Sequence, residues 1–214
     1  NLLGLSGGWS TRSVLVRPDL ATVRVLVGAI ADGRHATAPK LLDDARRAHP
    51  WIGERIHGGA GLIPLRRPYA RFTAPGLALV GDAAAQVCAV HGSGVGSGLV
   101  AGTVLAEAVG GAADPGSEAS TWAYQAAFQA ELGPDLAFFD GFRRLSVALG
   151  EAGVRDLLRS GLLSEPLARG GLDQARVRPP VADLPRLGAT LARHRRTAAR
   201  LVPALARFEA AASV

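Results

Sequence analysis

The chain has 214 residues, 48% of them hydrophobic, so it can bury one core but is too short for several. The net charge is +6, carried almost entirely by arginine, because Lys40 is the only lysine. The one cysteine, Cys88, excludes an internal disulfide framework, and no Cys/His cluster has zinc-site spacing. These features favour a globular protein in a reducing, cytoplasmic setting without a metal.

The N-terminal third is predicted to be β-rich. Two β-prone runs, residues 13–16 and 22–29, flank the turn sequence RPDLA and predict an antiparallel hairpin. A helix should follow Pro39, which suits a first helical turn, and should end at Pro50. Residues 54–68 are expected to return to extended structure.

The remainder is predicted to be one strand followed by helices. Residues 77–80, LALV, are apolar at every position, which is typical of a strand buried on both faces. Residues 94–109 have helical spacing, and Gly110 and Gly111 provide a stop signal. Further helices are predicted at 121–132, 134–149, 153–160 and 185–212.

The clearest chemical signal begins where the predicted strand ends, at Gly81-Asp82. Open α/β sheets bind ligands at the carboxyl ends of their strands, and a carboxylate there can accept hydrogen bonds from the hydroxyls of a sugar or ribityl chain. The small residues Ala83 and Ala84 follow, so a bulky ligand could lie close to the main chain.

A glycine-rich segment, GSGVGSG at residues 92–98, then opens the next predicted helix. The free N–H groups and dipole of a helix start suit a carbonyl or an anionic ring edge, including the negative charge at N1 and C2=O of a reduced flavin. The spacing is not GxGxxG, because Ser97 and Leu99 stand where a third glycine would fall.

Together, GDAA at 81–84 and HGSGV at 91–95, followed by a small-residue helix reaching Gly102, resemble the second FAD motif of the geranylgeranyl reductase family. This family belongs to the para-hydroxybenzoate-hydroxylase-like flavoproteins. GGAGLIP at 58–64 also resembles the strand that precedes the motif there. The resemblance implies a ribityl contact for Asp82 and a pyrimidine-edge contact for Gly92, Gly94 and Val95. The implied FAD-binding set is completed by Gly81, Ala83, Ala84 and Ser93.

The resemblance implies an α/β fold, namely an FAD/NAD(P)-binding, Rossmann-like flavoprotein whose N-terminal half lies outside this sequence. Residues 1–74 would be the remnant of an antiparallel substrate sheet, 75–111 the strand-loop-helix of the FAD domain, and 112–214 a helical C-terminal region. The expected activity is FAD-dependent reduction, dehydrogenation or monooxygenation of an apolar or aromatic substrate, with NAD(P)H as a candidate reductant. The catalytic acid or base is not assigned.

This chain departs from the family pattern in the loop. Ala85 stands where the family has glycine after GDAA, and His91 and Ser93 stand where Thr and Glu are common. His91 is a candidate proton shuttle or, as a simpler interpretation, a residue that hydrogen-bonds the loop. Cys88 is predicted to be a small buried hydrophobic residue rather than a reactive thiol.

Two other functions stay open. A chain without the GxGxxG half cannot hold the FAD adenosine alone and could be a truncated, inactive product. Alternatively, the C-terminal helix is predicted to be amphipathic and arginine-rich, which suits peripheral contact with an anionic membrane surface. No nucleic-acid-binding motif accompanies its charge, so no nucleic-acid partner is expected. The basic residues concerned are Arg186, Arg193, Arg195, Arg196, Arg200 and Arg207.

Overall fold

The computed structural model describes residues 2–4, 10–17, 19, 21–30, 36–162, 165–174, 184–196, 198–199 and 203. Contacts divide the chain into two compact units, Asn1–Leu62 and Ile63–Val214. The described parts combine helices with small antiparallel sheets, which is compatible with an α/β class. The predicted functional pieces 1–74, 75–111 and 112–214 stay a prediction.

The first unit contains a three-stranded antiparallel sheet in the order β1-β2-β3. In the β2–β3 hairpin Val14 lies opposite Val25 and Val16 opposite Val23, so β-branched side chains pair across the strands. At the turn, Arg17 forms an ion pair with Asp19 at 2.8 Å. The predicted hairpin is therefore confirmed. The strands are β1 (Leu2–Gly4), β2 (Ser10–Arg17) and β3 (Thr22–Gly28).

Helix α1 (Ala38–Ala48) follows this sheet, as predicted. Thr37 precedes it in an extended conformation, and Pro39 lies in its first turn, where the missing N–H costs no hydrogen bond. The helix packs on β3 and buries Ala45 completely. Two arginines in its last turn, Arg46 and Arg47, complement the helix dipole.

The segment that follows α1 differs from the prediction. Residues 54–68 were expected to be extended, but they form neither a strand nor a helix, and every residue from 53 to 63 is exposed. The family-like segment GGAGLIP is therefore not a strand in this structure. The physical reason is that a strand requires a hydrogen-bonded neighbour, and none of the described strands pairs with this segment.

The predicted strand at 77–80 is also shorter than expected. Strand β4 (Thr73–Ala74) pairs with β5 (Leu77–Ala78) in a two-residue antiparallel hairpin, closed by Pro75 and by Gly76 at a φ of 72°. Leu77 is 51% exposed, so the prediction of burial on both faces is wrong. Such burial needs strands on both edges and layers on both faces, which the described residues do not supply.

Five helices make up most of the second unit as far as the structure describes it. The helix at the glycine-rich segment agrees with its prediction, whereas the next helix begins earlier than expected because Ser117 caps it by accepting a hydrogen bond from Ser120 N at 3.2 Å. The two helices predicted at 134–149 and 153–160 are joined across a kink at Gly150, where φ is 62°. The helices are α2 (Val95–Gly110), α3 (Glu118–Glu131), α4 (Gly133–Arg159), α5 (Glu165–Leu172), which was not predicted, and α6 (Leu184–Arg193).

The core of the second unit is built on three aromatic rings. Phe72 meets Tyr124 and Phe128 edge-to-face, with ring centroids 5.5 and 5.9 Å apart. Ala84 and Ala101 pack against these rings, and their small side chains let the 81–84 turn and α2 approach α3 closely. The core therefore holds the glycine-rich segment against the main helices.

The predicted C-terminal helix is observed in part. Helix α6 covers its beginning, and of the residues beyond it the structure describes 194–196, 198–199 and 203. The predicted residues Arg200 and Arg207 lie outside the described part of the chain. Among the helices that the structure describes, none combines the length and the apolar character needed to cross a membrane.

The aromatic core gives a stability prediction. Phe128→Ala should lower the free energy of unfolding by about 3–5 kcal/mol, because it leaves a cavity between Phe72 and Tyr124. Trp122→Ala is the matched control, since Trp122 lies on the same helix but is 54% exposed, and it should change the free energy of unfolding by roughly 1 kcal/mol or less. Urea titration followed by circular dichroism measures both, and equal losses would contradict the assignment of the core.

Candidate functional site

The candidate site begins at a single 3-10 turn, Gly81–Ala84, which follows β5 after two residues, Leu79 and Val80. Gly81 has a φ of 64°, a conformation that glycine adopts without strain. Ala85 N donates to Asp82 O and Gln86 N donates to Gly81 O, each at 3.0 Å, so the turn is closed by its own main chain. The Asp82 carboxylate is left exposed at the surface of this turn.

The glycine-rich segment lies against Asp82. A Cβ atom at Gly94 would stand only 3.0 Å from Asp82 Oδ1 and 3.5 Å from Val87, so a side chain there would push the carboxylate away. A Cβ at Gly98 would approach Gly81 Cα at 3.9 Å. The structure therefore brings Gly81, Asp82 and Gly94 together, although the last is separated from the others by the loop.

The loop between them is a tight hairpin. Cys88 N donates to Ser93 O at 2.9 Å, and Gly92 N donates to Cys88 O at 2.8 Å. Gly92 has a φ of 74°, which an L side chain rarely adopts. A Cβ at Gly92 would also meet Ile63 at 3.5 Å. Gly92 and Ser93 therefore close the turn of this hairpin, which leads the chain into α2.

The start of α2 is open to ligand. Its N-cap, Gly94, has no side chain to accept from the first amides, and no acidic residue lies in the first turn. Those amides have no partner within the helix and carry the positive end of its dipole. Val95 is 79% exposed, and the space beside Gly96 is empty to 4 Å. A carbonyl or an anionic edge could therefore approach this helix end.

The predicted alanines divide between two environments. Ala83 is exposed beside Asp82, whereas Ala84 is fully buried among the core residues and its carbonyl accepts from Tyr69 N at 3.3 Å. Only Ala83 can therefore present its side chain to a ligand. Ala84 instead anchors the turn to the core.

His91 and Cys88 occupy opposite environments in the loop. His91 is exposed, while the Cys88 side chain is completely buried. Burial raises the pKa of the Cys88 thiol, so its reactive thiolate form is disfavoured. The prediction of Cys88 as a small buried hydrophobic residue is confirmed, and the role of His91 stays a prediction.

Residues that the sequence analysis missed hold the site in place. Gln86 is fully buried, and its side-chain oxygen accepts from the N–H of Gly81, the residue before Asp82, at 2.7 Å. Ser97, on α2, donates from its hydroxyl to Gln86 O. The signal that was available was a lone glutamine in the apolar run AAAQVCAV, since a buried polar residue requires hydrogen-bond partners.

Comparison with known proteins supports a distant relationship. No family model matches the chain. A digeranylgeranylglycerophospholipid reductase from Sulfolobus acidocaldarius is 30% identical over 112 residues, covering 51% of this chain. The two proteins are distantly related. The chain spans about 25% of the length of that curated relative.

The burial of Cys88 predicts slow labelling by a thiol reagent. Cys88 is the only cysteine, so the labelling stoichiometry reports on this side chain alone, and Cys88→Ser provides the background. At pH 8 the folded protein should react at least about a hundredfold more slowly than the urea-unfolded protein, because labelling requires opening of the loop. Rapid stoichiometric labelling of the folded protein would show that the loop is not closed.

Proposed function

We propose that this chain provides the flavin and ribityl half of an FAD site in an oxidoreductase related to geranylgeranyl reductases. The observation that carries the proposal is the pairing of the exposed Asp82 carboxylate with the uncapped start of α2, where a Cβ at Gly94 would lie 3.0 Å from Asp82 Oδ1. The distant relationship to a reductase supports an oxidoreductase activity.

The residues at the site fit this half of the cofactor. Asp82 can accept hydrogen bonds from ribityl hydroxyls, which are donors that a carboxylate binds strongly. The amides at the start of α2 can donate to the oxygens of the pyrimidine edge. Val95 offers an exposed apolar side chain beside them, which a flat aromatic ring would bury. Gly81, Ala83, Gly92, Ser93 and Gly94 then supply main chain without bulky side chains around the ligand.

FAD supplies the redox chemistry when bound, and the protein supplies binding, orientation and electrostatics. In this proposal the dipole of α2 stabilises negative charge at the pyrimidine edge. The proposed substrate is apolar or aromatic, as the isoprenoid lipid named for the distant relative suggests. NAD(P)H is the proposed reductant. His91, exposed at the loop tip, is the proposed donor or acceptor of a substrate proton.

Flavin binding tests the proposal with two matched ligands. Riboflavin carries the ribityl chain and lumiflavin does not, so Asp82→Ala should weaken riboflavin binding by about tenfold or more and leave lumiflavin binding unchanged. Flavin fluorescence titration of the purified chain gives both dissociation constants. Failure of riboflavin and FAD to bind the unaltered chain would refute the proposal.

Two glycine variants serve as a steric test of the same site. Gly94→Ala should also weaken riboflavin binding, because its methyl group displaces the Asp82 carboxylate. Gly102→Ala is the control, since Gly102 lies on α2 with nothing within 4 Å of the added methyl group. It should preserve binding and slightly raise stability, by up to about 1 kcal/mol, through helix propensity. Equal binding by both variants would contradict the close approach.

A second proposed role is peripheral contact with an anionic membrane surface. The observation that favours it is a run of four basic or titratable residues at the end of α6, Arg193, His194, Arg195 and Arg196, all exposed. Leu191, one turn earlier, is half-buried. A cluster of exposed arginines attracts anionic lipid headgroups, and a neighbouring apolar side chain such as Leu191 can add contact with the lipid. Such contact would place the site near a lipid-borne substrate.

Vesicle binding tests this second role. Replacing Arg193, Arg195 and Arg196 by glutamine should weaken binding to vesicles with about one-third anionic phospholipid by roughly a hundredfold, at about 1 kcal/mol for each arginine. The control replaces three exposed arginines of the first unit, Arg24, Arg46 and Arg55, and removes the same net charge. Equal loss in both triple variants would show that net charge, rather than the C-terminal cluster, causes binding.

A further inference from the structure

Gln86 lies at the centre of a buried hydrogen-bond chain behind the candidate site. Gly81 N donates to Gln86 Oε1 at 2.7 Å, and Gln86 Nε2 donates to the Tyr124 hydroxyl at 2.9 Å. The Tyr124 hydroxyl then donates to Leu79 O at 3.0 Å. The series of hydrogen bonds therefore starts at one main-chain group, Gly81 N, and ends at another, Leu79 O, on the two sides of Val80.

In this series of hydrogen bonds, every donor points the same way, from Gly81 towards Leu79. Gly81 N–H requires an acceptor and Leu79 C=O requires a donor, so the intervening side chains must accept at one end and donate at the other. An amide and a hydroxyl in series meet this requirement. Burial raises the pKa of the Tyr124 hydroxyl, which keeps its proton in place as the donor to Leu79. A side chain at position 86 with only acceptors could not donate to the Tyr124 hydroxyl while that hydroxyl donates to Leu79 O. One group of the series would therefore lose its hydrogen-bond partner.

Gln86 also makes a second hydrogen bond to Gly81. Its main-chain N–H donates to Gly81 O at 3.0 Å, so both polar groups of Gly81 are bound by the same residue. Ser97, on α2, donates to Gln86 O. Asp82 follows Gly81 directly, and its carboxylate has Gly94 as a close neighbour. Gln86 thus joins the turn that carries Asp82 to the helix whose N-terminus forms the rest of the site.

We infer that Gln86 is a positioning residue that sets the Asp82 carboxylate for ligand hydroxyls, through its paired bonds to Gly81. This inference rests on the proposed flavin site. Gln86 makes no ligand contact of its own, because its side chain is completely buried. Its effect on binding is therefore expected to pass through Asp82 and to vanish when the Asp82 carboxylate is removed.

The test uses Gln86→Met, which preserves the length of the side chain but removes both of its hydrogen bonds. The matched control is Gln125→Met. Gln125 is 3% exposed, and its hydrogen bonds are to Phe72, Thr73 and Ala70 rather than to the 81–86 turn. Losses common to both variants therefore report general destabilisation, and losses in Gln86→Met alone report positioning.

Riboflavin titration and amide hydrogen exchange are measured on the full chain. Gln86→Met should weaken riboflavin binding about tenfold more than Gln125→Met, and it should cause no further loss in an Asp82→Ala background. The Gly81 amide should exchange at least about tenfold faster in Gln86→Met than in Gln125→Met, without ligand. Equal binding losses in the two glutamine variants, or an undiminished Gln86 effect in the Asp82→Ala background, would overturn the inference.

Tyr124→Phe provides a milder variant should Gln86→Met fail to fold. It retains the bond from Gly81 N to Gln86 Oε1 but removes both bonds of the Tyr124 hydroxyl, the one from Gln86 Nε2 and the one to Leu79 O. Its binding loss should therefore be smaller than that of Gln86→Met and should also vanish with Asp82→Ala. A loss that persists in that background contradicts positioning. If the unaltered chain binds neither riboflavin nor FAD, the flavin proposal fails, and exchange at Gly81 alone then decides whether Gln86 holds the turn.

Discussion

The second unit depends on side chains that replace missing sheet hydrogen bonds. Strand β5 is only two residues long, and although Leu79 N still donates to Phe72 O at 2.9 Å, no described strand pairs with Leu79 O or Gly81 N. Buried polar groups without partners cost free energy, and here Tyr124 and Gln86 supply the partners. This constraint ties the end of the strand, the turn and helix α3 into one arrangement.

Side chains of helix α3 also pair with main-chain groups of residues 69–72, which no described strand pairs with. Gln125 accepts from Phe72 N at 2.8 Å and donates to Ala70 O at 3.1 Å, while Gln129 donates to Tyr69 O at 3.3 Å. One face of α3 therefore presents amide groups where a sheet would present an adjacent strand. The aromatic contacts among Phe72, Tyr124 and Phe128 bring the helix close enough for these bonds. Packing and hydrogen bonding support each other, since loss of either exposes the other to water.

The packing and hydrogen bonds between α3 and the preceding segments fix the geometry of the candidate site. Fully buried Ala84 and the closed turn fix one side, and Ser97 fixes the start of α2. Asp82, Ala83 and Val95 stay exposed between these anchors. A rigid base with exposed acceptor, donor and apolar groups suits a ligand that combines hydroxyls with a flat polar ring. The proposed flavin contacts require this combination of chemical groups and no bulky side chain.

The amino-acid pattern alone identified the hairpin and helices α1 and α2 and proposed the glycine and aspartate residues of the candidate site, because turn residues and helical periodicity are local signals. It overestimated the strand at 77–80, since an apolar run does not show whether neighbouring strands are present. It also missed Tyr124 and Gln125, whose partners are remote in sequence, and Gln86, which joins nearby Gly81 to remote Tyr124. Only the tertiary structure showed that Asp82 lies against Gly94 and that buried Gln86 binds the main chain of the turn carrying Asp82. The reason is that these segments meet through packing, which local sequence patterns do not encode.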